Sequence, residues 1–225
     1  MKKITLLTIV FLTMFAQING QEKNINFGLQ TGINLVNIQI VGDKYDIYGT
    51  DEDLISYNPA LSFNINAYIE FQREGIWNLS LEPGYIRKGA IENFFGSTED
   101  YRLNLNYIQM PILANFKIHR RTSLSIGPEI GYLINAKVRE RGSSNQSFDI
   151  SHSYEDYRRF LLELTGLIGL NYEIFEQTEI GIRYNHGILY NKRSVWYSHP
   201  IGGQPTGTII KETNQYLQLL IRYKI

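Results

Sequence analysis

Five charged residues lie in the middle of segments that are otherwise rich in apolar side chains. They are Glu82, Glu129, Glu163, Arg183 and Arg222. Carboxylates that share a site can act as a general acid and base or as a proton relay. The other interpretation is an ion-pair network, because charges that are removed from water must be paired. Acidic and basic groups are similar in number here, so we favour the network and assign these residues a structural role.

A second group of polar residues falls in one long polar segment. Asp149, Ser151, His152, Ser153 and Asp156 carry the hydroxyl, imidazole and carboxylate groups that hydrolases use. No nucleophile elbow or oxyanion motif surrounds them, and polar loops contain such residues by composition. We therefore predict no catalytic residues and no enzyme. A small membrane enzyme that acts on lipid or peptide is kept as an alternative.

Metal, cofactor and nucleic-acid chemistry have no support in the composition. The chain has no cysteine, and its four histidines, at positions 119, 152, 186 and 199, form no metal motif. The formal net charge is zero, which gives no electrostatic basis for binding nucleic acid. We predict no metal, no cofactor and no nucleic-acid partner.

Three aromatic residues near the C-terminus form a candidate recognition surface. Tyr190, Trp196 and Tyr197 lie close together in the sequence and could contact an external ligand. Their alternative role is to anchor the chain at a membrane interface, since these rings suit a boundary between apolar and polar phases. Both roles are kept.

The elements that must position these residues are β-strands. In the last ten residues Leu217, Leu219 and Ile221 alternate with polar residues, as expected for a strand with one apolar face. Seven earlier segments show the same alternation, at about 25–35, 61–72, 77–88, 103–118, 124–137, 162–174 and 180–190. The sequence therefore predicts eight strands.

The fourth segment changes its pattern part-way along. We place Leu103, Leu105 and Tyr107 on the outward face, after which the apolar residues move to even positions, starting at Ile108. A slip of one residue within a strand is what a β-bulge produces. We therefore predict a bulge between Tyr107 and Pro111, and that the outward face of the fifth segment extends to Ala136.

Short and long connections alternate along the chain. The turns at 73–75, 119–121 and 175–177 are tight, whereas the polar connections at about 39–59, 90–100, 139–158 and 192–213 are long. An even number of strands with short turns at one end is typical of bacterial outer-membrane barrels. We predict an all-β, eight-stranded, antiparallel, up-and-down transmembrane barrel, closed by its first and last strands, with periplasmic termini.

The apolar faces could point into a soluble barrel or out towards lipid. The opposite faces are rich in Gly and Asn and hold the charged residues, which suits a narrow, filled lumen. We therefore favour a barrel whose apolar faces point outward and contact lipid. The alternative, a soluble periplasmic lipocalin-like ligand binder, requires Leu217, Leu219 and Ile221 to point inward.

The first twenty residues resemble a secretory signal peptide. Lys2 and Lys3 precede an apolar run at 4–16 and a polar end, and the run is shorter than the about 20 residues that span a membrane. We predict a signal peptide at 1–20 and one barrel domain at 21–225.

Five short motifs occur in a characteristic order: LEPGY at 81–85, YIQMPIL at 107–113, IGPEIGY at 126–132, TGLIGL at 165–170 and RYNHG at 183–187. Together they resemble the PorT-like outer-membrane β-barrel family over essentially the whole mature chain. One departure is the final residue, Ile225, where such barrels usually end in an aromatic residue that helps the assembly machinery to recognise them.

The resemblance implies an integral outer-membrane protein in the cell envelope of a Gram-negative bacterium. The partners that it implies are outer-membrane lipid, the outer-membrane assembly machinery, and envelope or secretion proteins. We predict a non-enzymatic function that is structural or partner-binding. The family's name-giving member adds the hypothesis of an accessory role in protein secretion.

Overall fold

The computed structural model describes residues 25–42, 46–47, 50–53, 55–72, 75–94, 100–141, 147–149, 161–189, 192–198 and 206–225. In these ranges no helix is both long enough and apolar enough to cross a membrane. The predicted signal peptide at 1–20 lies outside them, so the division into 1–20 and 21–225 stays a prediction.

Fourteen β-strands, numbered in chain order, make up the regular structure of the described residues. They are β1 (Ile25–Gly42), β2 (Asp46–Ile47), β3 (Thr50–Asp53), β4 (Ile55–Asn58), β5 (Ala60–Phe71), β6 (Trp77–Leu81), β7 (Gly84–Phe94), β8 (Asp100–His119), β9 (Thr122–Arg141), β10 (Ser147–Asp149), β11 (Leu162–Phe175), β12 (Thr178–Gly187), β13 (Lys192–Ser198) and β14 (Thr206–Lys224).

Eight strand positions close into an antiparallel ring. Their order is β1, β5, β6 followed by β7, β8, β9, β11, β12 and β14, and β14 pairs with β1. β6 and β7 share the third position, where Glu82 and Pro83 interrupt the strand. Proline lacks the backbone N–H that a continuous ladder would use. The predicted eight-stranded barrel, closed by its first and last strands, is confirmed.

The two rims of the barrel differ in their connections. The turn end holds the short turns at 75–76, 120–121 and 176–177 and the chain end at Ile225, whose N–H donates to the Phe27 carbonyl over 2.8 Å. The opposite rim, the loop end, is lengthened by short strands: β4 pairs with β7, β10 with β9 and β13 with β14. The small hairpin of β2 and β3 forms a separate sheet.

The outside of the barrel carries a continuous band of apolar side chains, which we call the apolar belt. On β14 the side chains of Leu217, Leu219 and Ile221 are 41%, 59% and 48% exposed. The belt also includes Phe27, Leu29, Ile33, Leu35, Leu61, Phe63, Ile65, Ile108, Met110, Ile126, Ile130, Tyr132, Ile168, Leu170, Tyr172, Ile180 and Ile182. A belt of this kind fits lipid and not water. The soluble alternative, which needs the β14 residues inside, is therefore wrong.

The direction of the side chains in β8 differs from the prediction. Leu103, Leu105 and Tyr107 are buried and point inward, while Ile108 and Met110 point outward. Burial alternates along β8 without a break at this point, so β8 itself does not slip. Leucines appear on the inward face because the interior becomes apolar towards the loop end.

An apolar cluster inside the barrel near the loop end, which we call the loop-end core, explains why the alternation in β8 predicts the wrong face. It consists of Val36, Ile38, Ala60, Ile86, Ala90, Leu103, Leu105, Tyr107, Leu133, Ala136 and Tyr216. At the same height the outer face is polar: the Asn106 side-chain oxygen accepts hydrogen bonds from the Tyr85 hydroxyl at 2.6 Å and from Arg87 Nε at 3.1 Å. Near the turn end the barrel is therefore apolar outside and polar inside, whereas β8 near the loop end has apolar side chains inside and polar side chains outside.

The bulge itself lies beside Tyr107, as predicted, but on the neighbouring strand. In the pairing of β8 with β9, Asn106 faces Asn135 whereas Tyr107 faces Leu133, so Ile134 is the extra residue. The slip brings Ala136, predicted to face outward, into the interior with no exposed surface. A bulge reverses the faces of the residues that follow it, which accounts for this correction.

Gly89 fixes the backbone of β7 next to the charged interior. Its φ is +128°, a region that residues with a Cβ rarely adopt. A Cβ on Gly89 would lie 2.1 Å from the Leu103 carbonyl oxygen of β8. Glycine therefore allows β7 and β8 to approach closely, immediately after Lys88 enters the lumen.

Candidate functional site

The five predicted charged residues all lie inside the barrel, and each has at most 2% of its surface exposed. Glu82 follows β6, and the others come from β9, β11, β12 and β14. The structure brings them together in two clusters, one around Glu82 and one around Lys88.

The Glu82 cluster is built on one carboxylate. Arg183 forms a two-pronged ion pair with it, with Nη1 2.5 Å from Oε2 and Nη2 2.8 Å from Oε1. Arg222 Nη2 lies 2.8 Å from Oε1, and Gln30 Nε2 donates to Oε2 over 3.0 Å. Planar guanidinium groups match a carboxylate in this way, and such paired bonds are strong. Glu82 is thus fully engaged.

Arg222 extends this cluster towards the turn end. Its Nη1 lies 2.6 Å from Glu179 Oε2, and its Nε and Nη2 donate to Gln30 Oε1 over 3.2 and 3.0 Å. Its guanidinium carbon lies 3.8 Å from the centre of the Tyr68 ring, a cation–π contact. Glu179 also pairs with Lys224. The cluster therefore runs from the middle of the lumen to the turn-end rim.

The Lys88 cluster places one ammonium between two carboxylates. Lys88 Nζ lies 2.8 Å from Glu129 Oε1 and 2.8 Å from Glu163 Oε2. The Tyr216 hydroxyl donates to Glu129 Oε2 over 2.7 Å, and Asn214 Nδ2 donates to Glu163 Oε1 over 2.9 Å. These neutral donors partly offset the second negative charge, which a single lysine cannot balance.

Sequence reasoning missed Lys88 and Glu179 as members of these clusters. Lys88 lies on the inward-facing side of the third predicted strand, an even number of residues from Glu82. Glu179 points to the same, inward side of β12 as Arg183 and lies one residue past the start of that strand. Extending the alternation of inward and outward positions to the ends of the strands would have found both residues.

At the level of the clusters, the described side chains leave no path for a solute through the interior. Glu82 and Thr165 have no exposed surface, and Lys88, Glu129 and Arg183 have 1% each. Water therefore barely reaches these groups, and eight strands leave an interior that side chains can fill. Near the turn end a polar cavity of about 180 Å³ lies against Arg222, with Lys117 and Arg121 in its wall.

The remaining predicted sites fall partly outside the described residues. Trp196 and Tyr197 lie in β13, paired with Thr208 and Gly207 of β14, and only their backbone is described. Tyr190 lies outside the described ranges, so the recognition surface stays a prediction. Of the loop residues considered for catalysis, the described ranges include only the backbone of Asp149, in β10. Among described residues, no group of three or more His, Asp or Glu side chains is arranged to hold a metal.

Comparison with known proteins places this geometry in a family. The family model described as "Outer membrane protein beta-barrel domain" matches residues 15–190. Comparison with curated proteins found no match. Similar solved structures include Ail of Yersinia pestis, at 14% identity and a TM-score of 0.45, covering 89% of this chain and 98% of Ail. Neisserial surface protein A is also similar, at 13% identity and 0.45, covering 90% and 99%.

OprG of Pseudomonas aeruginosa is a third similar structure, at 11% identity and a TM-score of 0.40, covering 91% of this chain and 97% of OprG. The family match spans well over half of the chain, and the closed antiparallel ring with its outward apolar belt agrees with it. The chain belongs to the outer membrane protein beta-barrel domain family.

Proposed function

We propose that the protein is a closed, non-enzymatic outer-membrane barrel with a structural or partner-binding role. The observation that carries the proposal is the ion pair of Glu82 with Arg183. Glu82 lies at the third position of the eight-membered ring and Arg183 at the seventh, so the pair joins opposite walls. Because it is fully buried, it acts as a crossbar that closes the lumen.

The absence of catalysis is part of this proposal. The interior carboxylates of Glu82, Glu129 and Glu163 are all held by cations in the described structure, so none of these three is free to act as a general acid or base. A catalytic site would have to lie in the long connections. No motif in their sequence supports one.

The orientation in the membrane is also proposed. The short turns, the start of β1 and the end of β14 share one rim, and in bacterial outer-membrane barrels this rim is periplasmic. We place the assembly machinery at β14, whose C-terminal end it would recognise. An accessory role in secretion rests only on the resemblance to PorT-like barrels.

Contacts with other envelope proteins are best placed at the loop end. β8 and β9 have 20 residues each. At about 3.3 Å per residue and a tilt of about 40°, they extend well past an apolar band of about 25 Å. The part that projects beyond the belt is polar outside and filled by the loop-end core, so it is a rigid wall that a partner could contact.

The closed lumen predicts that the purified barrel does not conduct ions. In a planar lipid bilayer, the refolded protein should give no discrete current steps, while an open porin in the same bilayer gives them. Heat-modifiable migration on a gel would show that the sample is folded. Regular channel openings from folded protein would contradict the proposal.

A further inference from the structure

An apolar groove crosses the outside of the barrel at its closing seam. Its floor is a row of directly paired outward residues on five strands, which we call the seam groove: Thr122, Tyr172, Ile180, Ile221 and Thr31. The concavity has a volume of about 860 Å³ and almost wholly apolar walls, which include Ile33, Phe63, Leu170, Ile182 and Leu219.

The groove rises from the turn end into the belt. Thr122 is the first residue of β9, at the turn-end rim, whereas Thr31 lies well inside β1. Thr31 is small, and its hydroxyl donates to the Asn64 carbonyl over 2.9 Å, so its polar atom is already satisfied. The groove therefore suits a flexible apolar chain that enters at the interface and runs obliquely towards the bilayer centre.

A basic turn lies at the lower end of the groove. Arg120 and Arg121 directly precede Thr122 and are exposed. Neither forms an ion pair or side-chain hydrogen bond with other described residues, and the same holds for Lys117 near by. Glu173 is the adjoining acid, since its N–H donates to the Arg121 carbonyl over 2.8 Å. Both arginines also border the turn-end cavity, together with the carboxylates of Glu70, Glu173 and Glu179 and the cations of Lys117, Arg222 and Lys224. With Glu176 in the next turn, five cations outnumber four carboxylates.

We propose that the seam groove and the basic turn together bind one anionic glycerophospholipid from the leaflet at the turn end. An acyl chain lies in the groove, and the phosphate contacts Arg120 and Arg121. Guanidinium groups bind phosphate through paired hydrogen bonds, and cations near a membrane surface favour anionic lipid. A soluble phosphate would leave the groove unused, so the two features together indicate a lipid. The inference rests on the outward belt and does not depend on the closed lumen.

The test is native mass spectrometry of the full folded barrel, released from micelles that contain equal amounts of phosphatidylglycerol and phosphatidylcholine. We expect a one-to-one adduct with phosphatidylglycerol in preference to phosphatidylcholine. The double substitution Arg120→Gln, Arg121→Gln should reduce the adduct about tenfold, in keeping with the loss of two charge-assisted contacts. Thr31→Phe should also reduce it, because the ring fills the groove.

Matched controls separate this site from general effects. Lys137→Gln removes an exposed charge at the loop end, and Ile126→Phe adds bulk to the belt outside the groove, so neither should change the adduct. Each variant must show heat-modifiable migration before it is compared. An adduct that survives both test substitutions, or equal retention of phosphatidylcholine, would overturn the proposal. Displacement of the lipid by soluble glycerol phosphate at similar concentration would instead indicate a free-phosphate site and would overturn it too.

Discussion

Replacing Glu82 with alanine is expected to destabilise the barrel more than any other single change in its interior. The substitution leaves the Arg183 guanidinium buried without a carboxylate, and Arg183 Nε already has no hydrogen-bond partner. Removing one partner of a buried ion pair typically costs roughly 3–5 kcal/mol. We expect a loss of that size in the free energy of unfolding, measured by urea titration of the protein in lipid vesicles. In cells, little folded protein should reach the membrane.

The double variant Glu82→Gln, Arg183→Met distinguishes an unpaired charge from a mere cavity. It removes the buried positive charge together with its partner, so it should be more stable than Glu82→Ala. Glu173→Gln is the matched control, because no ion pair to Glu173 is formed within the described residues, and it should change stability by less than about 0.5 kcal/mol. Equal losses in the single and double variants would show that lost packing, and not the unpaired charge of Arg183, causes the destabilisation.

Replacing Lys88 with methionine is expected to have the second-largest effect. Methionine keeps the length and most of the packing of lysine, but it leaves the carboxylates of Glu129 and Glu163 facing each other without a cation. Both carboxylates lie 2.8 Å from the same nitrogen in the native protein. Buried like charges repel, and we expect a loss of roughly 3–5 kcal/mol in the free energy of unfolding, measured in the same titration.

The triple variant Lys88→Met, Glu129→Gln, Glu163→Gln tests the cause of that loss. It removes all three charges and keeps hydrogen-bonding groups near Tyr216 and Asn214, so it should recover much of the stability. If it is as unstable as Lys88→Met alone, then packing around Lys88, and not charge pairing, is what the site supplies.

The strands and their closure could be predicted because apolar and polar side chains alternate along most strands, with the apolar ones facing lipid and the polar ones facing the interior. This rule fails where the outer face meets water instead of lipid. In β8, alternation assigns Leu103 and Leu105 to the lipid face, yet at the loop end, beyond the belt, water lies outside and the loop-end core lies inside. Alternation locates two faces, but it does not say which face meets which solvent.

The interior charges could be predicted only in part. The alternation along each strand indicates that Glu82 and Arg183 point inward. It does not indicate that Glu82 pairs with Arg183 across the barrel, or that Lys88 pairs with two other carboxylates. That partition depends on strand tilt and side-chain reach, which parity does not encode. The bulge at Ile134 illustrates the same limit, because a single extra residue on β9 decides that Ala136 faces inward.

The most direct test of the account is whether the side chain at position 219 faces lipid. The chain has no cysteine, so a Leu219→Cys variant carries a single spin label in the reconstituted protein. A lipid-facing position 219 predicts a label that is readily relaxed by oxygen and hardly by a water-soluble nickel complex. The reverse is expected for Asn104→Cys, on the outer face beyond the belt. Strong relaxation of the position 219 label by the nickel complex would contradict the lipid-facing barrel. So would a label that neither reagent relaxes.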